Sequence, residues 1–146
     1  AYRTQWILSR QLHHEETQRD IALRLRADSI DSINQAEIRK ILKEHGFPKK
    51  TEVGTSACEA AWIIIQHAPL DVQKEYLPML ERAATEGNIQ AALVAALHDR
   101  IDVREGRPQK YGTQRNGNRL CPLLNDKMVN QWRKEVGLPP LDEYSK

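Results

Sequence analysis

Apolar positions along the chain recur with helical spacing and are interrupted by Gly and Pro at regular intervals. Residues 3–27 set Trp6, Ile7, Leu12, Ile21, Leu23 and Leu25 among many charges, with no Gly or Pro. That stretch predicts one long, partly exposed helix. A second helix is expected over residues 34–45, with Asn34 and Glu37 as its N-terminal cap and Ile38, Ile41 and Leu42 as its stripe. Gly46 stops it, and "GFPKKTEVG" reads as a loop. Thr55 or Ser56 is expected to cap a third helix whose face Cys58, Ala61, Trp62, Ile65 is buried. Pro69 ends it at His67. Asp71 opens a fourth helix, bent or restarted at Pro78 and closed by Gly87. Asn88 caps a fifth, carrying Leu93, Leu97 and Ile101 and fading at Glu105-Gly106.

The pattern then changes. "QKYGTQ" and "RLCPLL" flank "RNGN", and Asn-Gly between extended segments is a hairpin signal. Pro108 and Pro122 confine these strands to an edge or a lone ribbon. Asp126 is expected to cap a last helix through Val129 and Trp132, ended by Gly137 and Pro139. The predicted fold class is mainly α: a single compact domain of about six helices, with one small β-hairpin near the C-terminal third.

Composition bounds this picture without redirecting it. A chain of 146 residues buries roughly two thirds of its unfolded-chain surface as one domain. With 40% hydrophobic and 29% charged residues it is not a disordered chain. The net charge of +2 is too small to imply a nucleic-acid partner. Cys58, inside "ACEAAWIII", reads as a small buried hydrophobe. A bridge to Cys121 stays open if the protein is exported. The longest purely apolar run, "AALVAAL", is far shorter than the roughly 20 residues needed to span a bilayer. No basic-then-apolar leader precedes the first helix, and the chain begins with Ala, which leaves a soluble cytoplasmic or exported location open.

Taken in order, "EHGFP", "VGTSACEAAWIIIQHA", "ALHDRI", "GRPQKYGTQ" and the closing "GLPPLDEY" resemble the bacterial domain-of-unknown-function family 6624. Its members share a Gly-Trp-Pro loop, a Val-Gly turn, a Gln-His-Ala helix end, an Asp-Arg pair and a Gln-x-Tyr-Gly-Thr-Gln segment. The likeness covers roughly residues 34–144, with Phe47 where the family usually has Trp. It extends loosely to Gln18 and Arg19 in the preceding helix. With the length and the apolar pattern, this gives an expected single domain over residues 1–146, with a long helix in 1–27 and the family-like core over 34–146. The likeness directs attention to particular positions and implies no activity.

Those positions carry chemistry. His67, beside Gln66 at the end of a buried helix, has the pKa of a general base, or simply caps the helix carbonyls. Asp99 is a candidate orienter of His67, and Arg100 a candidate clamp for a carboxylate or phosphate. Gln109 and Tyr111, two apart, would share one face of an extended strand, with Gln114 on the other unless Gly112 breaks the alternation. Tyr111 offers a proton donor. Arg107, Lys110, Arg115 and Arg119 fall between Glu105 and Asp126 with no acid among them. "HHEETQ" lacks the second zinc-protease histidine, because Gln18 stands in its place. "VGTSA" lacks the Lys of a P-loop.

Two functions follow. In the first, these residues converge on one pocket at the ends of the third and fifth helices, roofed by the hairpin. It would serve a hydrolase or transferase needing no metal or organic cofactor and acting on a small anionic or polar ligand. His67, Asp99 and Tyr111 would be catalytic there, and Gln66, Arg100, Gln109 and Gln114 would bind. In the second, the same residues form a structural polar network in a ligand-binding or protein-interaction module. A sealed, fully bonded cluster favours the second, and an open cleft the first. Nucleic-acid binding through the hairpin is weaker, with one aromatic to stack on.

Overall fold

A computed structural model describes residues 18–141, so the expectations on Trp6, Ile7, Leu12 and "HHEET" lie outside the described residues. Six helices and one two-stranded hairpin follow in order: α1 Gln18–His45, α2 Lys50–Val53, α3 Thr55–His67, α4 Leu70–Thr85, α5 Ala91–Arg104, β1 Arg115–Asn116, β2 Arg119–Leu120 and α6 Val129–Glu135. The mainly α expectation holds.

Three boundaries differ from expectation. The first and second helices are one, because residues 27–34 hold no Gly or Pro to stop the ladder; Asn34 lies inside α1 and caps nothing. The expected loop after Gly46 contains the single turn α2. Pro78 does not restart α4, whose buried stripe Val72, Tyr76, Leu80 and Ala83 runs through it. Packing of that stripe outweighs the roughly 3 kcal/mol that an interior proline costs.

The caps differ too. Gly54, not Thr55 or Ser56, precedes α3, with no side-chain cap bond. Gln90, not Asn88, precedes α5; Asn88 instead accepts from the Lys50 amide. Met128, not Asp126, precedes α6, with no side-chain cap bond; Asn125 Oδ1 accepts from the amides of Lys127 (3.0 Å) and Met128 (3.2 Å) in the turn before it.

The core lies where α4 and α5 face each other and α3 covers them, around Ile65, Tyr76, Leu80, Leu97 and Ile101. α1 joins through Ile38 and Leu42 alone among its buried residues. On α3, Cys58, Ala61 and Ile65 are buried as expected, whereas Trp62 is half-buried, its indole N–H donating to the Leu93 carbonyl (3.1 Å). Cys58 and Cys121 are both free thiols. Burial pushes the Cys58 thiol pKa up. No described helix is long and apolar enough to cross a membrane.

The hairpin pairs Arg115 with Leu120 and Asn116 with Arg119. Its strands are shorter than the flanking sequence suggested. Residues 109–114 are not a strand: Gly112, at φ +68°, turns the chain, so Gln109 and Tyr111 do not share a face. A Cβ there would lie 2.6 Å from Leu141 Cδ1 and 3.1 Å from Leu123 Cδ2. Glycine is required twice over, for the turn and for the fit.

Candidate functional site

The turn at Gly112 is wrapped around one carboxylate. Asp99, near the end of α5, is wholly buried. Its Oδ1 accepts from the amides of Lys110 (2.8 Å) and Tyr111 (2.9 Å). Its Oδ2 accepts from the amides of Tyr111 (3.2 Å) and Thr113 (3.0 Å) and from Thr113 Oγ1 (2.9 Å). Both oxygens are filled by donors. Gln109, also wholly buried, closes the segment below: its Nε2 donates to the carbonyls of Gln114 and Cys121, both at 2.9 Å. Its Oε1 accepts from the Gln114 amide at 2.8 Å. The Gln114 side chain donates to the Ala96 carbonyl (3.3 Å), tying the segment back to α5.

Arg133 of α6 locks the other side, with Nη1 on the Tyr111 carbonyl (2.7 Å) and Nε on that of Pro139 (2.6 Å). Burial lowers its pKa, and the neighbouring Asp99 charge works against that shift. A buried cation and a buried anion thus face one short loop, each with hydrogen-bond partners, as buried charges require.

The loop carries Tyr111 to the edge of an open groove of about 260 Å³. Its walls are Glu81, Ala84 and Thr85 from α4, and Ala91, Val94, Ala95 and His98 from α5, with Val136 beyond α6. The rings of Tyr111 and His98 meet edge to face at 6.3 Å. Lys110 Nζ sits over both Tyr111 (5.1 Å) and Trp132 (5.4 Å).

Behind the imidazole, His98 Nδ1 lies 3.1 Å from Asp102 Oδ2, one helical turn on, but outside hydrogen-bond alignment. Asp102 Oδ1 is held by Arg107 Nε (2.9 Å) and Nη2 (2.6 Å). Arg107 also pairs with Glu105, which takes Lys74. Those partners raise the Arg107 pKa, while Lys74 first and Arg107 second hold the Glu105 carboxyl low.

The expected site residues divide into three places. Asp99, Gln109, Gln114 and the Tyr111 backbone share the buried knot. Gln66 and Arg100 meet at the end of α3, where Arg100 Nη1 donates to the Gln66 carbonyl (2.8 Å) beside Gln73 Nε2 (2.7 Å). Burial, then the like charge of Arg104, pushes the Arg100 pKa down. His67 is exposed and lines a cavity of about 240 Å³ with Asp31, Asn34, Gln35, Ile63 and Ile64. No hydrogen bond joins it to Asp99, whose oxygens serve the loop. The ring expected near His67 or Arg100 stands against His98 instead.

Sequence reasoning passed over His98, Asp102, Thr113 and Arg133. The spacing of His98 and Asp102, i and i+4 on one helix, was the legible signal. Among the described residues, His98, Asp99 and Asp102 bring three donor atoms within 4.8 Å of one another, as a metal would need. Asp99 is already saturated with N–H and O–H donors, which reduces this set to two.

No curated protein and no solved structure matches the chain. One family model does, over residues 11–146, a span that takes in the knot, the groove and the hairpin. The chain therefore belongs to DUF6624, a family of unknown function.

Proposed function

We propose that this chain is a ligand-binding module whose site is the groove between α4 and α5, with Tyr111 as one wall. The observation that carries the reading is the filling of Asp99. A carboxylate holding five hydrogen bonds has no lone pair left to orient a base. Its work is to fix the loop, whose Tyr111 side chain lines the groove. Alanine and valine walls with Glu81, Thr85, His98 and Tyr111 as the few polar groups suit a small molecule with an apolar body and one polar head.

Titration of 15N-labelled protein with phenylacetate, phenylethanol and phenethylamine tests this. These probes share a ring and differ in the charge of the head. At least one should move the amides of Thr85, Ala95, His98 and Tyr111 together, and Tyr111→Ala should weaken that probe about tenfold or more. If none perturbs the groove, the reading fails.

A second reading, acid–base catalysis without a metal, draws on the nearness of the Asp102 carboxylate to His98 Nδ1 (3.1 Å), which would set the imidazole's tautomer once the two groups are brought into line. Hydrolysis of 4-nitrophenyl acetate that is lost in His98→Gln and kept in His67→Gln would favour it over simple binding.

A further inference from the structure

The first half of α1 stands apart from the rest of the molecule. From Asp20 to Asn34 every described side chain is exposed except half-buried Ile21, and burial begins only at Ile38. Residues 18–34, as helix, span about 25 Å. Most helical stability in proteins comes from packing an apolar face against something else rather than from propensity. This stretch exposes Leu23 by 56% and Ile30 by 49%.

Leu23, Ala27, Ile30 and Asn34 follow 4-3-4 spacing, which lines them along one narrow seam. Arg24 and Asp31 flank that seam. At its body end lies the cavity with an apolar floor, Ile63 and Ile64, and a polar rim that includes Asp31, Asn34 and His67.

We infer that this face is covered by a second copy of the chain, as an antiparallel pair of α1 helices with its two-fold axis between Asp28 and Ser29. In that register Ala27 meets Ile30 of the other copy and Leu23 meets Asn34. Leu23 of each copy then enters the cavity floored by Ile63 and Ile64 of the other, and Arg24 falls beside Asp31. The contact is isologous, so each feature occurs twice. A parallel pair would set Leu23 on Leu23, far from either cavity. The fit of Leu23 to an apolar floor and of Arg24 to Asp31 at its rim selects the antiparallel arrangement.

Sedimentation equilibrium on the full chain tests this, together with a charge exchange. The parent should dimerise at micromolar concentration. Arg24→Glu and Asp31→Lys, both exposed and helix-compatible, should each weaken the dimer about tenfold or more. An equal mixture of the two variants should recover it as a heterodimer, because each then offers the charge the other lost. A parent that stays monomeric overturns the proposal, and the seam is then bare or covered within one chain. So does a dimer indifferent to both substitutions, or a Leu23→Cys variant that cross-links to itself, which reports a parallel pair.

Discussion

Two polar regions of this molecule, the knot under the hairpin and the corner at His67, look alike in sequence and are opposites in structure. In the knot, Asp99 and Gln109 are wholly buried and their polar atoms are bonded. At the corner, His67, Asp31 and Asn34 are exposed around a cavity and make no hydrogen bond with one another. The difference lies in what each group does for the chain. A buried polar group without partners costs more than its bond returns, so the knot survives only because it is complete. The exposed polar groups of the corner make no such bonds and face outward, where another molecule can meet them.

Asp99→Ala should give the largest effect. It strands the amides of Lys110, Tyr111 and Thr113 and leaves the buried Arg133 charge without its anion, for a loss of about 3–5 kcal/mol. Urea denaturation measures it. A loss under about 1 kcal/mol would mean that the carboxylate is retained for some purpose other than folding, and the comparison would break there.

Gly112→Ala comes next. A non-glycine residue at φ +68° is strained, and the new Cβ would press on Leu141 and Leu123. Together these should cost about 2–4 kcal/mol. Because the same turn sets the wall of the groove, the 15N spectrum of His98 should move as well. A stability loss without that movement would separate the knot from the groove.

The Glu105 network gives a smaller, pH-dependent effect. Lys74 and Arg107 hold the carboxyl below its ordinary pKa, so its contribution to stability is present above the unfolded value of about 4.3 and is lost as pH falls through the folded value. Glu105→Gln should therefore lower the urea midpoint at pH 7, and the gap should narrow as pH falls below about 4. A gap that does not narrow with acid would assign the residue a role other than ion pairing.

The helices were legible because apolar spacing and Gly/Pro stops are local. Membership of the knot was partly legible: Asp99, Gln109 and Gln114 do converge. What they converge on was not, because a carboxylate's partners here are backbone amides, and amides leave no mark in a sequence. The strand expected over residues 109–114 failed for the same reason, since a non-local anion, not a neighbouring strand, takes the backbone donors. Arg133 arrives from the last helix, 34 positions beyond Asp99, and its spacing carries no signal. The pairing of His67 with Asp99 assumed that two polar helix ends must meet, yet the loop reaches Asp99 first.

The smallest effect should come from the corner. His67→Ala and Asp31→Asn remove exposed groups with no described hydrogen bond, and each should change folding stability by no more than about 0.5 kcal/mol. Equilibrium denaturation must be run at a concentration where the chain is monomeric, because any association would add to apparent stability by mass action. Under that condition a loss above about 1 kcal/mol would make the corner a second knot, and the contrast with Asp99 would collapse. With stability flat, any effect of these substitutions on binding or association belongs to the surface itself, since nothing in the fold depends on them.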